Sequence, residues 1–194
     1  MKKIIISVIV ALTTMISFAQ DQSSQHLSFK GVPIDGTLNE YVVKMKQSGF
    51  TMLGIKDGVA TLKGDFAAYK GCIVGISTLK GKDLVNKIIV AFPECDTWSQ
   101  LASNYFSLKE MLTQKYGKPS ESVEKFQSSY IDDDNDRMYA VKSNRCTYYT
   151  TYKTEKGDIQ LSISHGEVLS CFVLLAYCDK INGDIVRQQA MDDL

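Results

Sequence analysis

The sequence predicts an α+β fold of two helix-plus-antiparallel-sheet units, read as a tandem duplication forming one compact domain. Two stretches, "VPIDGTLNEY" at 32–41 and "FPECDTWSQL" at 92–101, share one punctuation: Pro, Thr four positions on, a large apolar residue, then Glu or Gln three positions after the Thr. Both Pro and Thr recur at an offset of sixty, at 33 and 93 and at 37 and 97. Each stretch leads into apolar spacing of helical period and then into about four short strand-like segments. Residue identity between the halves is slight, so the repeat is one of pattern.

The first helix starts at Thr37, whose side chain suits the backbone N–H of Glu40 while Glu40 reaches back, a capping box. Leu38, Tyr41, Val42 and Met45 then fall on one face, and Gly49 ends the helix. Strand-like segments follow at 51–56, 59–62, 72–79 and 84–92, with a hairpin turn at Asp57-Gly58 and another around Lys80-Gly81. The second helix starts at Thr97 with Gln100 as a second capping box. It carries an apolar stripe of Trp98, Leu101, Ala102, Tyr105, Leu108, Leu112 and Tyr116, and stops at Gly117 and Pro119. Segments at 122–130, 146–154, 159–164 and 168–178 complete the second unit, with a turn at 155–158, and a short terminal helix is expected near Ile185.

The last strand-like segment is apolar on both alternating faces, with Phe172, Leu174 and Ala176 on one and Leu169, Val173, Leu175 and Tyr177 on the other. Such a strand sits centrally between two covered faces, or a partner closes one of them.

The first residues, "MKKIIISVIVALTTMISFAQ", place Lys2 and Lys3 before an apolar run at 4–12 and small residues at 17–19. This is the pattern of an export signal cleaved near Ala19. The run is shorter than the ~20 residues that span a bilayer, so an uncleaved anchor is the lesser reading. We therefore expect a signal peptide at 1–19 and a single α+β domain at 20–194, with subunits at about 27–92 and 93–178 and a tail at 179–194. The expected location is periplasmic or secreted, without an integral membrane segment after cleavage. Lys2 and Lys3 are two of the 22 basic residues, so 20 remain in the mature chain against 22 acidic ones. A slightly acidic chain without a basic block excludes nucleic acid as a partner class. The oligomeric state is left open by the sequence.

All five cysteines, at 72, 95, 146, 171 and 178, lie in the mature part, where an oxidising compartment permits disulfides. Their odd number leaves at least one outside any internal pairing, and no C-x-x-C occurs. For those in apolar strands, burial as a small hydrophobe is the first expectation.

Three groups are candidate sites. Tyr148, Tyr149 and Tyr152 in "CTYYTTY" combine large apolar area with hydroxyls, which suits a surface that binds protein, peptide or glycan. The opposing reading packs one face of that strand under a helix. Asp132, Asp134 and Asp136 in "IDDDNDR" fall at positions 1, 3 and 5 of a calcium-loop pattern. However, Arg137 stands where Gly is needed and Ser143 where a bidentate Glu is needed, so the stretch reads otherwise as a solvated turn. His165, in "SHGE", is the one histidine near a cysteine strand, while His26 lies in an expectedly loose terminus; Cys171 with His165 would make a thiol enzyme if they met. No nucleophile-elbow, zinc-protease, P-loop or dinucleotide motif is present, and no cofactor is expected.

"HLSFKGVPIDGTLNEYVVKMKQSGF", "YGKPS" and "GDIQLSISHGEVLSCFVLLAYCDKINGDIVRQQA" resemble an uncharacterised group of small exported proteins of gut Bacteroidetes. That resemblance implies export and carries no active residue across. In element order alone, a helix with a four-stranded sheet used twice is similar to beta-lactamase-inhibitor-like proteins, which bind partners through a sheet. The expected function is thus an exported non-enzymatic binding or accessory protein. The alternatives are a small exported thiol-dependent hydrolase and a structural calcium-binding protein.

Overall fold

The structure is a computed structural model that describes residues 25–79, 81–127, 133–166 and 170–192. The expected export signal lies outside the described residues. Among the described residues, ten strands and four helices follow one another as β1 (Ser28–Phe29), β2 (Val32–Pro33), α1 (Leu38–Gln47), β3 (Thr51–Lys56), β4 (Val59–Phe66), β5 (Tyr69–Thr78), β6 (Val85–Ala91), α2 (Trp98–Tyr116), β7 (Glu121–Phe126), α3 (Asp134–Lys142), β8 (Cys146–Thr154), β9 (Gly157–His165), β10 (Cys171–Asp179) and α4 (Lys180–Asp192). The first two strands form a small hairpin, and the other eight make one antiparallel sheet in the order β3-β4-β5-β6-β10-β9-β8-β7. The fold is therefore α+β. Each of α1 and α2 precedes a meander of four strands, and the two meanders join where β6 meets β10.

Local chemistry sets the helix starts. In α1 both arms of the capping box form, with the Glu40 N–H donating to Thr37 Oγ1 (3.3 Å) and the Thr37 N–H donating to Glu40 Oε2 (3.1 Å). Leu38, Tyr41, Val42 and Met45 are buried, as their spacing requires. In α2 Thr97 accepts from the Gln100 N–H (3.3 Å), but the expected second capping box with Gln100 is not formed, and Asp134 serves the next two donors of the helix start. Its two carboxylate oxygens accept from the N–H groups of Trp98 (2.7 Å) and Ser99 (2.8 Å). A carboxylate at that position satisfies orphan donors and sits favourably in the field of the helix N-terminus.

The Asp57-Gly58 turn joins β3 to β4 with φ of 51° and 75°, the left-handed pair that such a two-residue hairpin needs. The strands β4 and β5 run longer than expected and meet at Ala67-Ala68, both at positive φ. Gly64 lies at a bulge in β4 where a Cβ would strike the Phe50 ring, so only glycine admits that ring beneath the sheet.

Odd-numbered residues of β10 and their register partners form the helix-covered face. Val173, Leu175 and Tyr177 lie beside Ile163, Leu161 and Ile159 of β9, and Val90 and Ile88 of β6 continue the layer. Against them pack Tyr41 and Met45 of α1, Leu101, Tyr105 and Leu108 of α2, and Met138 and Val141 of α3. Burying each such side chain contributes about 1.5–3 kcal/mol, so this single layer supplies the main driving force for folding. Among the described residues no helix is long and apolar enough to cross a membrane.

Candidate functional site

Because side chains alternate along a strand, the helix-covered layer leaves a second face. One register row crosses its middle: Ile73 (β5) opposes Ala91 (β6), which opposes Leu174 (β10), then Ser162 (β9) and Tyr149 (β8). Phe172 and Ala176 flank Leu174 on β10, and Ile89 lies beside Ala176. None of these side chains belongs to the core cluster. Phe172, Leu174, Ala176, Ile89 and Ala91 are half-buried, and Ile73 is 37% exposed. The face is thus apolar around Ile73, Ile89, Ala91, Phe172, Leu174 and Ala176, with Ser77 and Lys87 toward one end of β5 and β6, and polar over β9 and β8, where Gln160, Ser162, Ser164 and Thr151 alternate outward. Eight strands at a spacing of about 4.8 Å make it about 34 Å wide. At one end Lys153, Asp158 and Cys178 meet Lys180, Asp184 and Arg187 of α4 in a charged cleft, with Lys180 paired to Asp184 at 2.7 Å.

The three expected binding tyrosines divide between the two faces. Tyr148 packs edge-on against Trp98 (5.1 Å between ring centroids) and Tyr105 (5.7 Å), and beside Phe126 (5.5 Å). Tyr152 is 1% exposed, and its hydroxyl reaches the Lys109 carbonyl (3.0 Å) and Thr113 Oγ1 (2.8 Å) of α2. Both lie under a helix. Tyr149 stands on the uncovered face and donates to Glu121 Oε1 (2.6 Å), a bond to a carboxylate that raises its phenol pKa.

The acidic stretch is a helix start where the sequence suggested a turn or a calcium loop. Asp133 caps α3 by accepting from the Asp136 N–H (2.8 Å), and Asp134 is committed to α2 as described. Asp132 lies outside the described residues. Among the described residues no group of three His, Cys, Asp or Glu side chains is placed to hold a metal ion.

All five cysteines are present as thiols. Burial pushes every one of them upward from the ordinary thiol pKa, Cys146 to about 12. Cys171 is opposite His165 across β9 and β10, but the imidazole nitrogens lie against the Gly166 carbonyl (3.1 Å) and Asn144 Oδ1 (3.2 Å). A thiol nucleophile needs a lowered pKa, and none is found here.

No protein-family model, curated protein or solved structure matches the chain. The site is therefore read from its own geometry. Sequence reasoning missed one polar cluster beside α4. Asp179, whose side chain is wholly buried, accepts from the Leu27 N–H (2.8 Å) and the Asn182 N–H (2.9 Å) and lies 3.0 Å from His26 Nδ1. The Asn182 amide donates in turn to the carbonyls of Ile34 (3.1 Å) and Val85 (2.8 Å). Far from being loose, His26 is held between Asp179 and Asp35, the latter 3.6 Å from its Nε2. Only the Asp179–Asn182 cap is local in the sequence; the partners of that pair at His26, Leu27, Ile34 and Val85 lie more than 90 residues away, and no local pattern marks them.

Proposed function

We propose that the chain is an exported, non-enzymatic binding protein that engages a polypeptide through the open face of its sheet, centred on Phe172, Leu174 and Ala176. The observation that carries this reading is the contrast along β10: both alternating faces are apolar, yet the core cluster claims one of them. A contiguous, partly exposed apolar patch bordered by polar residues is what a protein contact uses. The flanking Tyr149, Ser162 and Gln160 supply the polar border that fixes orientation. A glycan partner would favour aromatic platforms, and two of the three candidate tyrosines are under α2. The raised thiols speak against the thiol-hydrolase alternative, and the use of Asp133 and Asp134 as helix caps speaks against the calcium alternative.

We also read the two helix-plus-meander halves as a tandem repeat. In support, the helix starts are sixty positions apart and each meander meets the other by its last strand. The resemblance to exported proteins of gut Bacteroidetes supports the periplasmic or secreted location.

The test is a comparison of wild-type protein with Leu174→Glu and Phe172→Ser as baits against envelope extract, each bait first checked for an unchanged melting curve. A polypeptide retained by wild type and lost with both variants supports the reading. Equal retention by folded wild-type and variant baits would sink it.

A further inference from the structure

We propose that Cys95 and Cys171 are joined by a disulfide in the mature protein. The register between β6 and β10 is regular up to Leu174 opposite Ala91, and its continuation would bring Glu94 opposite Cys171. Instead an isolated bridge sets Cys95 opposite Cys171, with the Cys95 N–H donating to the Cys171 carbonyl at 2.8 Å. One extra residue is thus inserted after Phe92, as in a β-bulge. The insertion turns Glu94 to solvent and buries Cys95 (4% exposed) beside Cys171 (1% exposed).

Directly opposed residues of an antiparallel pair have Cα atoms about 4.5–5.5 Å apart and side chains on one face. That separation lies inside the ~4.4–6.8 Å range that a disulfide spans without moving the backbone. The Asn104 amide donates to Cys95 Sγ (3.3 Å), holding that sulfur on the helix-covered face to which Cys171 also belongs. As partners for Cys171 the other cysteines are excluded by position. Cys146 on β8 is separated from β10 by β9, at least about 9.6 Å away, and Cys72 on β5 is separated from it by β6. Cys178 points to the opposite face of β10.

In the bond-forming step the two thiols release two protons and two electrons to a small-molecule disulfide. It accepts them through a mixed disulfide and leaves as two thiols. The oxidant is supplied by the exported location, so the inference rests on that part of the proposed function. The cross-link would tie the segment that leads into α2 to the first residue of the central strand.

The mature chain, residues 20–194, is reduced, refolded in a buffer of reduced and oxidised glutathione, alkylated in denaturant and mapped without reduction. A Cys95–Cys171 peptide is expected, with three of the five cysteines alkylated in wild type and four alkylated in Cys95→Ser and in Cys171→Ser. Five alkylated cysteines in folded wild type, or a disulfide between any other pair, would overturn the proposal. Thiols are also trapped at lysis in cells making the full chain. A cleaved chain outside the cytoplasm that carries the cross-link supports the proposal, and one that lacks it overturns it. An uncleaved cytoplasmic chain overturns the export reading alone, and the refolding result then decides the pairing.

Discussion

Asp179 is expected to be the most costly polar side chain to remove. It ends β10, caps α4 through the Asn182 N–H, and anchors the segment before β1 through Leu27 and His26. In Asp179→Ala, loss of the helix cap costs about 1 kcal/mol. The Leu27 N–H, buried and without its acceptor, adds about 1–3 kcal/mol. Together these give about 3 kcal/mol, before any loss from displacement of the Leu27 and Phe29 side chains. For a chain of this size each kcal/mol moves Tm by about 2–4 °C, so a drop of about 6–12 °C is expected. His26→Ala removes the polar contacts of a partly exposed ring and should cost about 1 kcal/mol, clearly less than Asp179→Ala. Thermal unfolding followed by far-ultraviolet circular dichroism and by the single Trp98 measures both, and amide exchange at Leu27 and Asn182 should accelerate in Asp179→Ala. A Tm within about 3 °C of wild type, or a larger loss in His26→Ala, would refute this account of the cluster.

Asp134→Ala is expected to lower Tm by a few degrees at neutral pH, because the Ser99 hydroxyl and the Ser99 and Trp98 N–H groups hold its carboxyl below the usual carboxylate pKa. A depressed folded-state pKa contributes stability that is complete above the unfolded value of about 3.9 and fades as pH falls toward the folded one. The gap between wild type and variant should therefore narrow below about pH 4, and a gap that widens there contradicts the assignment. In the fully reduced native protein, alkylation by iodoacetamide at pH 7.5 should be slow at every cysteine and much faster after denaturation; one rapidly reacting native thiol would restore the hydrolase alternative. On the proposed export, the mature chain should begin at Gln20, which intact-mass measurement decides.

The starts of α1 and α2 were legible because their chemistry is contained within four residues, as with Thr37 and Glu40. Strand ends were not, since pairing across the sheet extends β4 through Gly64 and Asp65, where alternation alone had stopped at Leu62. The helix α3 was hidden by its acids. A run of aspartates reads as solvated until it is seen that Asp134 caps a helix that begins 36 positions earlier in the chain. Tyr148 and Tyr152 were rightly placed on one face of a strand, but which face is covered depends on where α2 docks, and no local pattern states that.

The open face itself is visible as a difference between two neighbouring strands. On β9 the side chains that point away from the helices are Gln160, Ser162 and Ser164, which is how a sheet with one wet face is normally written. On β10, one strand away on that same face, they are Phe172, Leu174 and Ala176. Folding alone would be served as well by serine and threonine there, because the core lies on the other side. Helical cover does not explain the difference, nor does strand propensity, which threonine would satisfy equally. A polypeptide seated on Phe172, Leu174 and Ala176, as proposed, would account for that difference, and Leu174→Glu is then expected to weaken binding while leaving the fold intact.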